Sequence, residues 1–150
     1  MKKIVTAALA ATLVVSGAAF AAKPLKSQRY GGEGSTTSQG GKVSLTTNSS
    51  GKVFDFYFSY ACAPSTEVTK YTRQYFRGHS ALKVGRKGRF AFKGNLKTFE
   101  GGPLDSGGPY TTASVTFSGK FTTRRKATGK LHASSAGCDS GAVTWVAPLD

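Results

Sequence analysis

"VFDFYFSY", residues 53–60, decides the fold. Phe54, Phe56, Phe58 and Tyr60 alternate with Val53, Asp55, Tyr57 and Ser59, and alternation with period two is the signature of a β-strand. Four aromatic groups on one pleated face predict a wall of the core. The same period runs outward in both directions. In "KVSLTT" (42–47) Val43 and Leu45 share a face, and "NSSG" (48–51) supplies the turn into the aromatic strand. "EVTKYTRQYFR" (67–77) is rich in β-branched and aromatic residues and reads as a strand that places Tyr71, Arg73, Tyr75 and Arg77 together.

"ALKVGRKGRFAFKG" (81–94) reads as a hairpin with residues 85–88 as its loop and Leu82, Val84, Phe90 and Phe92 inward. Further strands follow in "ASVTFSGKFTT" (113–123), with Val115, Phe117 and Phe121 inward, in "KATGKLHA" (126–133) and in "GAVTWVA" (141–147). No segment carries an apolar stripe of helical length. The expected class is all-β: an antiparallel β-sandwich, with a β-barrel as the alternative, of about seven to nine strands. An immunoglobulin domain is disfavoured because Trp145 follows Cys138 instead of lying between the two cysteines. Trp145 is expected in the core, near the bridge.

Organisation along the chain is legible from composition. Lys2 and Lys3 precede an apolar run from Ile4 to Val15, and Ala19-Phe20-Ala21 forms a small-residue site. These features predict a signal peptide over 1–21, and hence a secreted or cell-envelope protein. A stable membrane span is not expected, since spanning needs ~20 apolar residues and Ser16 and Gly17 interrupt the run. Residues 22–40 are dominated by Gly, Ser, Thr and Gln, with Leu25 and Tyr30 as the sizeable apolar groups, and read as a flexible leader. The domain is placed at 41–150.

Cys62 and Cys138 are the only cysteines, and in an oxidising compartment such a pair predicts a disulfide. Metal binding is not expected: there is no C-x-x-C, and His79 and His132 lack ligand spacing. Nor does any motif call for a cofactor.

"LDSGGPY" (104–110) contains the Asp-Ser-Gly-Gly-Pro string that surrounds the nucleophile of chymotrypsin-like proteases. The partners are missing. Between His79 and Ser106 the only carboxylates are Glu100 and Asp105, the latter adjacent to the serine, so the His-Asp-Ser order of that chemistry fails. "CDSGAV" (138–143) repeats the tripeptide, and Asp-Ser-Gly is also ordinary turn chemistry. Ser106 is therefore read as part of a turn.

Charge is the strongest functional signal. The chain holds 21 Lys and Arg against 7 Asp and Glu, a formal +14. Loss of Lys2 and Lys3 with the leader peptide leaves +12 on 129 residues. A field of that sign attracts polyanions such as wall polymers, anionic glycans, nucleic acid or acidic lipid heads. The candidate binding residues are Tyr71, Arg73, Tyr75 and Arg77, followed by Lys83, Arg86, Lys87 and Arg89, because guanidinium and ammonium groups pair with phosphate or sulfate while rings stack on bases or sugars. A second basic run puts Lys120, Arg124, Arg125, Lys126 and Lys130 around a hairpin tip.

The expected function is a non-catalytic, strongly basic exported domain that binds an anionic polymer or surface or serves a structural role in the envelope. The alternative is a small secreted nuclease in which His79 works with Glu67 or Glu100, and Arg73 clamps phosphate.

"VTFSGKFTTRRKATGKLHASSAGCDSGAVTWVA" (115–147) carries the pattern S-G-x-F-T, A-x-G-x-L and C-x-S-G-x-V-x-W. It resembles the C-terminal part of a group of small secreted bacterial β proteins to which no activity is attached. That resemblance implies an exported β domain, and it carries over no site residue.

Overall fold

The computed structural model describes residues 22–101 and 109–150. The signal peptide expected at 1–21 and the Ser106 turn lie outside these residues. Seven strands of five or more residues form the body: β3 (Val43–Thr47), β4 (Val53–Tyr60), β5 (Lys70–Tyr75), β6 (Arg89–Glu100), β7 (Tyr110–Thr123), β8 (Lys126–Ser135) and β10 (Val143–Pro148). Three two-residue strands complete it: β1 (Arg29–Tyr30), β2 (Thr36–Thr37) and β9 (Cys138–Asp139). A 3-10 turn, Gly78–Ser80, follows β5.

All pairings are antiparallel, in the order β1-β3-β4-β5-β6-β7-β8-β10-β2, with β9 on β8. The all-β antiparallel class is as expected. One continuous sheet, not two stacked ones, curls into a half-barrel, the closer match to the barrel alternative. A bridge between Tyr30 and Leu149 ties the first strand to the end of the last.

Alternation builds the interior. Phe56, Phe58, Phe117 and Trp145 form a layered stack: Phe56 lies 4.5 Å from Phe117, and Phe117 lies 5.0 Å from Trp145 with planes only 6° apart. Each such side chain contributes roughly 1.5–3 kcal/mol through burial. The aromatic wall of β4 contains three members, not the expected four. The β3–β4 register shifts between Thr46, which faces Asp55, and Thr47, which faces Val53. Phe54 is the extra residue, and such a bulge reverses the pleat. Val53 is therefore fully buried, while Phe54 packs edge-on against the exposed Tyr75 at 5.5 Å.

Trp145 is core as expected, but it is not near the disulfide. It faces Gly129 across the β8–β10 ladder, whereas Cys138 pairs with Ser135 six residues further along β8. The hairpin expected at 81–94 keeps its turn, with Gly88 at φ +68° and its N–H donating to the Gly85 carbonyl at 2.9 Å. Its first arm is an extended segment joined to the sheet by a single Leu82–Val53 bridge.

The segment 22–40, expected as a flexible leader, instead lies in the sheet through β1 and β2. Its anchor is Tyr30, fully buried against Phe121 at 5.0 Å. The phenol accepts the Leu25 N–H at 2.9 Å and donates to the Arg124 carbonyl at 2.7 Å. Average composition concealed a single residue able to fix the whole segment. Tyr30→Phe is expected to keep the ring packing but lose both bonds, costing about 1–2 kcal/mol. Hydrogen exchange would show it: the Leu25 amide should lose protection, whereas wild-type protection there would refute the anchoring role.

A basic end and an aromatic outer face

Antiparallel connectivity sorts the connections onto two ends. The turn at 48–52, the segment 76–88, the turn at 124–125 and the leading segment 22–28 fall at one end of the barrel. The connections 61–69 and 136–142, with the disulfide, fall at the other. This sorting separates charge. The first end gathers Lys23, Lys26, Lys52, Arg77, Lys83, Arg86, Lys87, Arg89, Arg124, Arg125 and Lys126, all exposed except the half-buried Lys52. Glu67, Glu100 and Asp139 lie toward the opposite end. The described carboxylates nearest the basic end are each occupied by an arginine: Asp55 by Arg73 in a two-pronged pair at 2.9 and 2.6 Å, and Asp150 by Arg29 at 3.6 Å.

A cleft of about 510 Å³ opens at this end, lined by Lys23, Pro24, Leu25, Lys26, Ser50, Gly51, Val84 and Arg124. Its wall is shaped by local chemistry. Asn48 Oδ1 accepts the N–H groups of Ser50 and Lys52 at 2.9 and 3.0 Å, closing the turn that ends in Gly51. Thr47 Oγ1 donates to the Leu25 carbonyl at 2.6 Å, which fixes the opposite wall.

The eight candidate residues divide between two places. Tyr71, Arg73 and Tyr75 point outward from β5, as their alternation predicted. There Tyr71 stacks on Tyr57 at 6.5 Å, and Phe99 and Tyr110, next in register across β6 and β7, extend the aromatic face. Lys97 lies 4.3 Å above the Tyr110 ring. Arg77 has left the strand and precedes the 3-10 turn, so it joins Lys83, Arg86, Lys87 and Arg89 at the basic end. The reading of 67–77 as one face thus holds only to Tyr75. Lys23 and Lys26 were not among the candidates, because they sit in the segment read as a flexible leader; Pro24, Leu25 and Tyr30 were the available signal that it docks.

The catalytic alternative does not find its groups together. His79 lies exposed in the 3-10 turn at the basic end. Glu67 precedes β5 and Glu100 ends β6, where it pairs with Lys70. The six residues of β5 separate these positions by ~20 Å at about 3.3 Å per residue. Cys62 and Cys138 are bonded, with Cα atoms 5.0 Å apart. Among the described residues no group of His, Cys, Asp and Glu is placed to hold a metal ion.

His132 Nε2 does meet Asp139 Oδ1, at 2.9 Å on the exposed surface. The second Asp-Ser-Gly string explains this carboxylate: Gly141 takes φ +65° and its N–H donates to Asp139 Oδ1 at 2.7 Å, a turn as the sequence implied. The Gly141 N–H, and after it His132, hold the Asp139 carboxyl below its ordinary 3.8. Because the folded value is the lower one, its stabilising contribution is present above 3.8 and disappears as pH falls through the folded value. An NMR titration should find Asp139 still depressed in His132→Ala, since the backbone N–H remains. A return to the ordinary value in that variant would contradict this ranking.

Compared with protein-family models, curated proteins and solved structures, the chain matches none.

Proposed function

We propose that the protein is a non-catalytic, basic exported domain that binds an anionic polymer or surface through the basic end of its barrel. The observation that carries this reading is the one-sided charge: eleven cations converge on one end, while the nearest described carboxylates are held by Arg73 and Arg29. Solubility alone needs no such segregation, whereas a localised positive field steers and holds a polyanion. The aromatic face of Tyr57, Tyr71, Phe99 and Tyr110, with Lys97 over the Tyr110 ring, lies toward the opposite end and is a separate surface.

The test is retention of residues 22–150 on polyphosphate, a sulfated glycan and single-stranded DNA across a salt series. Binding is expected to fall steeply with salt as counterions are displaced. Arg86→Glu with Lys87→Glu should weaken it by about tenfold or more, equivalent to ~1.4 kcal/mol. Lys97→Glu, distant from this end, should have much less effect. Equal losses from both changes would remove the basic end from the reading. Parallel incubation with RNA and DNA, with and without divalent metal, addresses the nuclease alternative, for which cleavage is the positive result. N-terminal sequencing of the exported protein is expected to begin at Ala22.

A further inference from the structure

We propose that the cleft at the basic end holds an acidic lipid, so that the barrel docks end-on to an anionic lipid surface. This rests on the polyanion reading and narrows it from charge alone to a ligand with an apolar stem. At about 510 Å³ the cleft has the size of a small-ligand site. Its wall combines two chemistries. Lys23, Lys26 and Arg124 surround it with positive charge, and among the described residues no carboxylate lines it. Pro24, Leu25 and Val84 supply apolar surface, Pro24 buried and the other two half-buried.

A bare chain of phosphates or sulfates satisfies the cations but leaves that apolar wall in water. An acyl-bearing phosphate satisfies both: its oxygens pair with the ammonium and guanidinium groups, and its first methylenes cover Leu25 and Val84. The wall is set in advance, because the Tyr30 hydroxyl joins the Leu25 N–H to the Arg124 carbonyl, so little ordering is left to ligand binding. The surroundings extend the argument from one lipid to a surface. The 85–88 turn and Arg125 continue the positive charge beyond the cleft, and attraction to acidic headgroups grows with each added cation. A polybasic patch combined with shallow apolar insertion provides the two signals that stable attachment requires.

Flotation of residues 22–150 with vesicles of phosphatidylcholine, with and without phosphatidylglycerol, tests the proposal alongside polyphosphate binding. Capture is expected only by the phosphatidylglycerol vesicles. Val84→Ser should weaken that capture by about tenfold and leave polyphosphate binding within about twofold, while Lys23→Glu with Arg124→Glu should weaken both by about tenfold or more. Monomeric short-chain phosphatidic acid should shift the Leu25 and Val84 methyl resonances saturably, and inorganic phosphate should not. Polyphosphate binding without vesicle capture, or vesicle capture indifferent to Val84→Ser, overturns the lipid assignment and leaves the polyanion reading intact. Failure to bind either probe removes both. Val84 is a peripheral, half-buried residue, so a thermal melt of Val84→Ser confirms folding independently of binding.

Discussion

Replacing Cys62 and Cys138 together by serine is expected to lower stability by about 4 kcal/mol through release of loop-closure entropy in the unfolded chain. The bridge spans 76 positions and encloses β5, β6, β7 and β8, so more than half of the described chain gains freedom when it is cut. Neighbouring bonds should preserve the native geometry around the vacated pair. The Ala63 N–H donates to the Asp139 carbonyl at 2.7 Å, and the Gln39 side chain accepts the Ala61 N–H at 3.0 Å while donating to the Ala61 and Ser140 carbonyls. The expected result in urea is a fold with unchanged β-sheet circular dichroism, a much lower midpoint and a steeper denaturant slope, since the uncrosslinked unfolded state exposes more surface. Loss of less than about 1 kcal/mol would mean that the unfolded chain keeps its ends together without the bridge.

Gly129→Ala is expected to cost ~3 kcal/mol or more, at or above the upper range for overpacking a core. Gly119 and Gly129 face one another across β7 and β8, and Gly129 faces Trp145 across β10. Together they leave a slot for the indole. A methyl group at Gly129 would overlap both the Ser118 carbonyl and the six-membered ring of Trp145, and one at Gly119 would lie 2.7 Å from that ring and 2.5 Å from Phe90. Neither obstacle yields easily: the carbonyl is ladder backbone, and Trp145 is clamped against Phe117. Trp145→Phe should recover part of the loss by removing the larger ring, while the carbonyl conflict persists. A thermal-melt double-mutant cycle measures this coupling. Additive losses would show that the slot does not act as a unit.

The slot also gives a physical meaning to the C-terminal sequence pattern. In S-G-x-F-T the glycine is Gly119 and the phenylalanine is the buried Phe121; in A-x-G-x-L they are Ala127, Gly129 and Leu131, all core or slot positions; the final tryptophan is Trp145. Residues spaced along the chain are one packing unit in space. Their roles in folding follow from the contacts, and none of them approaches the basic end as a ligand group.

Alternation of apolar and polar residues was sufficient to define the strands, because each strand's burial pattern is local and has a strict period. The same holds for the turns at 48–51, 85–88 and 139–141, where Asn, Asp and Gly impose their own backbone geometry. Cysteine pairing followed from there being only two. Other features required distant partners. Phe54 left the core because β3 and β4 meet through a bulge, and pairing register is not written in either strand alone. Tyr30 fixed residues 22–30 through Arg124, ninety-four positions away, which average composition cannot reveal. The candidate cations were recognisable by residue type, but their convergence on one end arose from antiparallel connectivity, which brings Lys23, Val84 and Arg124 around one cleft although they are remote along the chain. Local periodicity determined the kind of structure; only strand order and register decided which charges and apolar groups share a surface.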